Sequence, residues 1–119
     1  MIRDMTQFLL VCLGGALGSG ARYVATSAVP HGTLFVNVLG SFAIAIVLES
    51  MRASDARLML VTGVLGGFTT YSAFNQETLE LLRTGAWGSA VANVAVTVCA
   101  CLVAGYLGLM LTRSGAAGS

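Results

Sequence analysis

Charge is scarce in this chain of 119 residues. Only 9% of the residues are charged, whereas soluble domains carry about 25%. Lysine is absent, and six arginines and five acids leave a formal net charge of +1, which provides no basic surface for nucleic acid. With 56% apolar residues and a mean hydropathy of +0.86, the chain is too apolar for a soluble domain. We therefore expect a lipid bilayer to solvate much of its surface.

Histidine and cysteine are also rare, which excludes several kinds of site. His31 is the only histidine, so a bis-histidine haem site within one chain is impossible. Cys12, Cys99 and Cys101 lie in apolar stretches without the spacing of a zinc or redox motif, and we interpret them as small core residues. The sequence contains neither a phosphate-binding loop nor an HExxH motif. We do not expect an enzyme.

What the sequence does contain is four long uncharged stretches, of 17, 26, 19 and 29 residues. A membrane-spanning helix needs roughly 20 apolar residues. The pattern predicts an all-α integral membrane protein, a single domain over 1–119 with four transmembrane helices at about 6–28, 33–51, 57–82 and 85–112. Because Asp4 follows Arg3, the first stretch lacks the positive end of a cleaved signal peptide, and we expect it to be retained.

The arginines favour one orientation in the membrane only weakly. With four spans, both termini lie on one side together with the second loop, and cytoplasmic segments carry an excess of positive charge. That side would hold Arg3, Arg52, Arg57 and Arg113, and the other side Arg22 and Arg83. Four against two is consistent with insertion both ways up. The alternative is a single orientation that is weakly set.

Small residues are concentrated in the first stretch. They include the pairs Gly14-xxx-Gly18 and Ala16-xxx-Gly20. Such pairs let helix backbones approach closely in lipid, where no hydrophobic force drives helices together. The pattern predicts tight helix packing and indicates nothing about a transported substrate.

The third stretch carries the segment Gly66-Gly67-Phe68-Thr69-Thr70. Paired glycines followed by paired threonines form a poor continuous helix, so we expect the third helix to be broken near its middle. A break frees backbone groups that lipid cannot satisfy, and it is tolerated where it is buried in protein, lines water or binds an ion. The alternative is a kinked helix that packs through Gly66 and Gly67.

Polar residues recur at intervals of four along the second and fourth stretches. Thr33, Asn37 and Ser41 share one helical face. The fourth stretch repeats the interval with Asn93, Thr97, Cys101 and Gly105. These rows indicate either an ion pathway or a polar helix interface. Since they offer neutral donors and no fixed positive charge, an anion is the ion that they suit.

Three motifs follow one another along the chain. They are Gly14-Gly15-Ala16-Leu17-Gly18 with Arg22-Tyr23, then Gly32-Thr33-Leu34-Phe35-Val36-Asn37, then Gly66-Gly67-Phe68-Thr69-Thr70-Tyr71-Ser72-Ala73-Phe74. In order and spacing they resemble the motifs of the Fluc (CrcB) family of small fluoride channels, and the resemblance covers essentially the whole chain.

The resemblance implies a passive, fluoride-selective channel that exports toxic fluoride across the cytoplasmic membrane. It also implies an antiparallel, dual-topology homodimer in which both subunits line each of two pores. A structural sodium ion at the dimer centre would be held by backbone carbonyls, which correspond here to those of Gly66 and Thr69.

The resemblance also implies the residues of the pore. They include the asparagine Asn37, an aromatic pair at Tyr71 and Phe74, and a basic residue near the vestibule, Arg22. We expect neighbouring hydroxyls to add hydrogen-bond donors, namely those of Ser72, Thr33 and Thr97. Three positions depart from the family pattern: Tyr71, where phenylalanine is common, and Cys101 and Gly105, where serine or threonine is expected.

Two other functions compete with the channel. A small multidrug-type dual-topology transporter needs a membrane-embedded glutamate in its first helix, and residues 5–21 contain no acid. A non-transporting membrane anchor subunit would need neither the polar rows nor the break in the third helix.

Overall fold

The computed structural model describes residues 4–117, and every regular element in that range is helical. In chain order the elements are α1 Met5–Ala28, α2 Gly32–Ser50, α3 Asp55–Leu58, a π-helical segment Met59–Leu65, α4 Gly66–Phe68, α5 Tyr71–Arg83 and α6 Trp87–Ala117. Three of them, α1, α2 and α6, are long and apolar enough to cross a membrane. The predicted class, an all-α membrane protein, is confirmed. Arg3, which entered the count of arginines, lies outside the described residues.

The outward faces of the long helices are apolar. Leu9, Leu13 and Leu17 of α1 are between 53% and 58% exposed, and Leu102 and Leu111 of α6 are exposed to a similar or greater extent. Soluble monomers rarely expose contiguous apolar patches of this extent. In a bilayer the same surface faces hydrocarbon. The chain is a multi-pass membrane protein.

The start of α1 and its connection to α2 have defined backbone features. The carboxylate of Asp4 accepts a hydrogen bond from the Thr6 amide (2.9 Å) and begins α1. Pro30, which has no amide hydrogen, follows the end of α1. His31 has a positive φ of 54°, and α2 begins at the next residue. These features turn α2 back along α1.

The segment 55–83 is helical except for two residues. The Ser54 hydroxyl caps its start by accepting from the Arg57 amide (3.1 Å). Thr69 and Thr70 are extended, and the Thr70 hydroxyl caps α5 by accepting from the Ala73 amide (3.1 Å). The helix is therefore interrupted at Thr69 and Thr70, which together are called the interruption below.

The paired glycines do not belong to the interruption, although the prediction placed them within it. Gly66 and Gly67 are helical, in α4. A Cβ on Gly67 would lie 2.6 Å from the Gly15 carbonyl oxygen of α1, so the glycine permits close packing. That packing compensates for the poor helix propensity of glycine. The π-helical turn that precedes α4 was not predicted.

The glycines of α1 pack against the same segment. A Cβ on Gly14 would lie 2.6 Å from the Met59 carbonyl oxygen, and one on Gly18 would overlap the Val64 carbonyl. Gly14-xxx-Gly18 is thus a contact within the chain. Gly20 has open space around it, so Ala16-xxx-Gly20 faces outward.

The cysteines are not the core residues that the sequence suggested. Cys12 and Cys99 are exposed, and Cys101 is half-buried. Their apolar surroundings face outward because the outer surface, rather than the interior, is the apolar part of this molecule. Apart from glycines, the buried residues of the described chain are divided evenly between apolar and polar: Val36, Phe74, Ala90 and Ala104 are buried alongside Thr33, Asn37, Thr70 and Thr97.

Candidate ion pathway

Asn37 of α2 joins the interruption through two hydrogen bonds. Its Nδ2 donates to the Thr70 carbonyl oxygen (3.0 Å), and its Oδ1 accepts from the Thr70 amide (2.7 Å). Both residues are buried, at 9% and 8% exposure. The side chain thereby satisfies the backbone of Thr70 at the point where the helix is interrupted, as a non-helical backbone inside a membrane requires.

The interruption separates two carbonyls from their helical donors. In a continuous α-helix the amide of Thr70 would donate to Gly66, and the amide of Ala73 to Thr69. Here the Thr70 amide donates to Asn37, and the Ala73 amide donates to the Thr70 hydroxyl. The carbonyls of Gly66 and Thr69, which were predicted as sodium ligands, are consequently available to another partner.

Arg22 of α1 meets the segment between these two carbonyls. Its Nε donates to the Gly67 carbonyl oxygen (3.0 Å). That carbonyl would accept from Tyr71 in a continuous helix. Arg22 is half-buried, and its observed bond is to the protein backbone.

The aromatic pair lies at the first turn of α5. The ring centroids of Tyr71 and Phe74 are 5.5 Å apart, with an interplanar angle of 76°. An edge-to-face pair directs the positive edge of one ring toward the negative face of the other. Phe74 is 7% exposed, whereas Tyr71 is 77% exposed in the single chain.

A cavity of about 450 Å³ brings several of these residues together. All of its lining residues are uncharged. The predicted site residues that line it are Asn37, Tyr71, Phe74 and Thr97 from the pore set and Gly66 and Thr69 from the metal set. Ser41, Thr70 and Cys101 also line it.

Three predicted site residues lie elsewhere. Thr33 is buried in the first turn of α2, and Ser72 is exposed, with its hydroxyl 3.1 Å from that of Thr70. Arg22 contacts Gly67 from the side of α1. Thr70, which also lines the cavity, belongs to neither polar row and was not predicted as a site residue. Its position before an amphipathic helix, typical of an N-cap threonine, is the signal that could have identified it.

A second cavity, of about 910 Å³, lies beside α5 and α6 and is more polar. Its lining includes His31, Gln76, Glu77, Glu80, Ser89 and Asn93. Asn93 Nδ2 donates to the Thr78 hydroxyl (2.9 Å), which donates to the Phe74 carbonyl (2.9 Å). This relay connects α6 to the turn of α5 that carries the aromatic pair.

The arrangement was compared with known proteins. The family model described as CrcB-like protein, Camphor Resistance (CrcB), matches residues 9–109. The chain belongs to the CrcB family. A relative in Anaeromyxobacter sp. (strain K), named fluoride-specific ion channel FluC, is 50% identical over 123 residues, which is 92% of this chain and 97% of the relative. A relative of the same name in Sorangium cellulosum (strain So ce56) is 41% identical over 127 residues, 96% of this chain and the whole of the relative.

The CrcB match includes every element that contributes to the cavity. It begins within α1 and ends within α6, so it covers Asn37, the interruption and the aromatic pair. The cavity therefore lies within the matched residues.

Proposed function

We propose that the chain forms a fluoride-selective channel for the passive export of toxic fluoride across the cytoplasmic membrane. The observation that carries the proposal is the 50% identity, over nearly the full length of both chains, to a protein named as a fluoride-specific channel. An alignment that covers 92% of this chain includes every residue that lines the cavity. The protein is a channel and not an enzyme.

The cavity chemistry supports an anion as the permeating ion. Its wall offers the carboxamide of Asn37, the hydroxyls of Ser41 and Thr97, and the rings of Tyr71 and Phe74. Carboxamide and hydroxyl donors replace part of the hydration shell of a small anion, and ring edges carry partial positive charge. The absence of acids from the lining avoids repulsion. Fluoride, a strong acceptor of hydrogen bonds, gains more from such donors than chloride does.

A second copy of the chain completes the cavity in this proposal. Tyr71 stands 77% exposed beside the buried Phe74, and Gly66 is also exposed, so the cavity opens onto the surface of the single chain. In lipid such an opening exposes polar backbone, which is costly. An antiparallel homodimer would cover it, and the weak arginine bias is consistent with opposite orientations.

The segment 55–83 supplies the fourth membrane crossing. Its apolar part, from Leu58 to the interruption, packs along α1, and Glu77, Glu80 and Arg83 lie in the last turns of α5. Those charges would sit at the membrane surface, where Glu80 pairs with Arg83 (3.0 Å). The interruption would then lie near the bilayer middle, shielded by α1 and α2.

The carbonyls of Gly66 and Thr69 fit a structural sodium ion. Both have lost their helical donors to side chains, and neutral oxygens are suitable ligands for a small alkali cation. Two carbonyls from each of two subunits would hold the ion on the dimer axis. Replacing sodium by a larger cation during purification should weaken the dimer; a dimer of unchanged stability would exclude the site.

Efflux from liposomes tests the function. Purified protein should release fluoride much faster than chloride, without a proton gradient and without added ligands. A small multidrug-type transporter would respond to a proton gradient and to cationic drugs. A membrane anchor would release neither anion. Fluoride release at the rate of protein-free liposomes would overturn the proposal.

A further inference from the structure

The wall of the cavity contains a thiol. Cys101 of α6 lines the cavity one helical turn from Thr97, together with Asn37 and Ser41 of α2. The other two cysteines, Cys12 and Cys99, are exposed and do not line it. Cys99 and Cys101 are two residues apart, about 200° around a helix, so they face opposite sides of α6. The Cys101 thiol therefore belongs to the cavity side of α6, and the Cys99 thiol to its opposite, exposed side.

The hydroxyl beside this thiol has no hydrogen-bond partner within the protein. Over the described part of α6, the side-chain hydrogen bonds are those of Asn93 with Thr78 and of Thr112 with Gly108. Thr97 is only 8% exposed, and no fully enclosed side-chain polar atom of the described residues lacks a partner. The Thr97 hydroxyl therefore retains some accessible surface, and the residue lines the cavity. Since polar groups of buried residues are normally paired, an unpaired hydroxyl in the cavity wall is free to bond a ligand there.

We propose that Cys101 is a binding site for thiophilic metal compounds and that their binding obstructs the ion path. A neutral linear compound such as mercuric chloride suits an uncharged cavity better than a bulky charged reagent does. In the reaction the S–H bond and one Hg–Cl bond break and an S–Hg bond forms. A proton and a chloride ion leave, and no electrons are transferred. The adduct places a mercury and a chlorine atom in the cavity that Asn37 and Phe74 line. The obstruction, though not the binding, rests on the proposed function.

Single-cysteine chains test the site. One variant keeps only Cys101 (Cys12→Ser, Cys99→Ala), and a matched variant keeps only Cys99 (Cys12→Ser, Cys101→Ser). Each full-length protein is placed in liposomes, and fluoride efflux is measured before mercuric chloride, after it, and after dithiothreitol. Each efflux rate is divided by the rate of the same preparation before treatment. Mass spectrometry of the intact chain counts the bound mercury.

The chain that keeps Cys101 should bind one mercury per chain, lose most of its fluoride efflux and recover with dithiothreitol. The chain that keeps Cys99 should bind mercury and retain its own initial rate. Equal inhibition of both chains, or mercury binding at Cys101 with unchanged efflux, would overturn the proposal. Mercury binding at Cys101 only after denaturation would overturn it as well.

The same experiment separates this proposal from the proposed function. If no preparation releases fluoride before mercury is added, the channel function fails and the obstruction fails with it. If fluoride is released and mercury has no effect through Cys101, only the thiol site fails.

Discussion

Asn37 uses both ends of its carboxamide on the backbone of Thr70. One amide hydrogen remains, and the side chain lines the cavity, so Asn37 supports the interruption and also offers a donor to an ion. These two tasks make its replacement more damaging than the loss of one pore donor.

We predict that Asn37→Asp nearly abolishes fluoride efflux. The carboxylate cannot donate to the Thr70 carbonyl, which costs about 1–3 kcal/mol for a buried acceptor, and it repels the anion. Asn75→Asp is the matched control, because Asn75 is exposed on α5 outside this cavity. Efflux should be compared for variants that remain dimers in detergent. Similar efflux for the two variants would remove Asn37 from the pore.

The aromatic pair predicts different effects for its two members. Tyr71→Phe keeps the ring that pairs with Phe74 and removes only the hydroxyl. Phe74→Ile keeps bulk but removes the ring charge distribution, a loss of about 0.5–1.5 kcal/mol or up to about tenfold in rate. Initial efflux should therefore fall more for Phe74→Ile. If Tyr71→Phe is the more damaging change, the phenol hydroxyl itself donates to fluoride.

At the scale of elements, α1 determines where the π-helical segment can lie. Gly18 contacts the Val64 carbonyl with no room for a methyl group, while Gly20, half a turn further on, has open space. The two glycines thus provide a matched comparison on one helix.

Gly18→Ala should destabilise the protein by about 1–3 kcal/mol, as overpacking typically does, because α1 must move away from the π-helical segment. Gly20→Ala should leave stability unchanged or slightly raised. Thermal unfolding of the purified proteins in detergent measures both. Equal stability of the two variants would show that α1 does not pack through Gly18.

The hydrogen bonds from Asn93 to Thr78 and from Thr78 to Phe74 predict that α6 stabilises α5. Thr78→Val removes both hydrogen bonds of the hydroxyl, at about 0.5–1.5 kcal/mol each, and should speed amide exchange in α5 and reduce efflux. Thr78→Ser should restore both properties. Thr84→Val, which removes a hydroxyl bonded only within its own turns, is the control. Equal exchange rates in the Thr78→Val and Thr84→Val variants would exclude the relay.

At the scale of the whole molecule, the proposed dimer rests on an opening in the single chain. The cavity, the exposed Tyr71 and the polar interruption form one surface that lipid solvates poorly. In the proposed homodimer, a second copy related by a two-fold axis in the membrane plane would present the same surface to it.

The proposed antiparallel arrangement predicts that one population of chains inserts both ways. A cysteine tag at the N-terminus, in a chain whose three native cysteines are replaced, should react with impermeant reagents from either side of the membrane. Labelling from one side alone would contradict the dual topology. Added arginines in the second loop should shift the ratio, since positive charge favours the cytoplasmic side.

How far the sequence predicted the site differs between residues. Asn37 and Thr97 were predicted because interval-four spacing places polar residues on one helix face, and both line the cavity. Thr70 was missed because its role depends on a capping hydrogen bond and on a residue 33 positions away. The hydrogen bond of Arg22 to Gly67, across 45 positions, left no trace in local spacing.

The sequence alone determined the helical class and the membrane environment, because long uncharged stretches in lipid must satisfy their backbone hydrogen bonds within helices. The tertiary structure alone decided that Gly66 and Gly67 remain helical and that the interruption falls at the threonines. It also decided which polar faces meet around the cavity. The physical reason is that spacing fixes the face of a helix, whereas the rotation and register between helices depend on packing, here on how closely α1 approaches the segment 55–83 through its glycines.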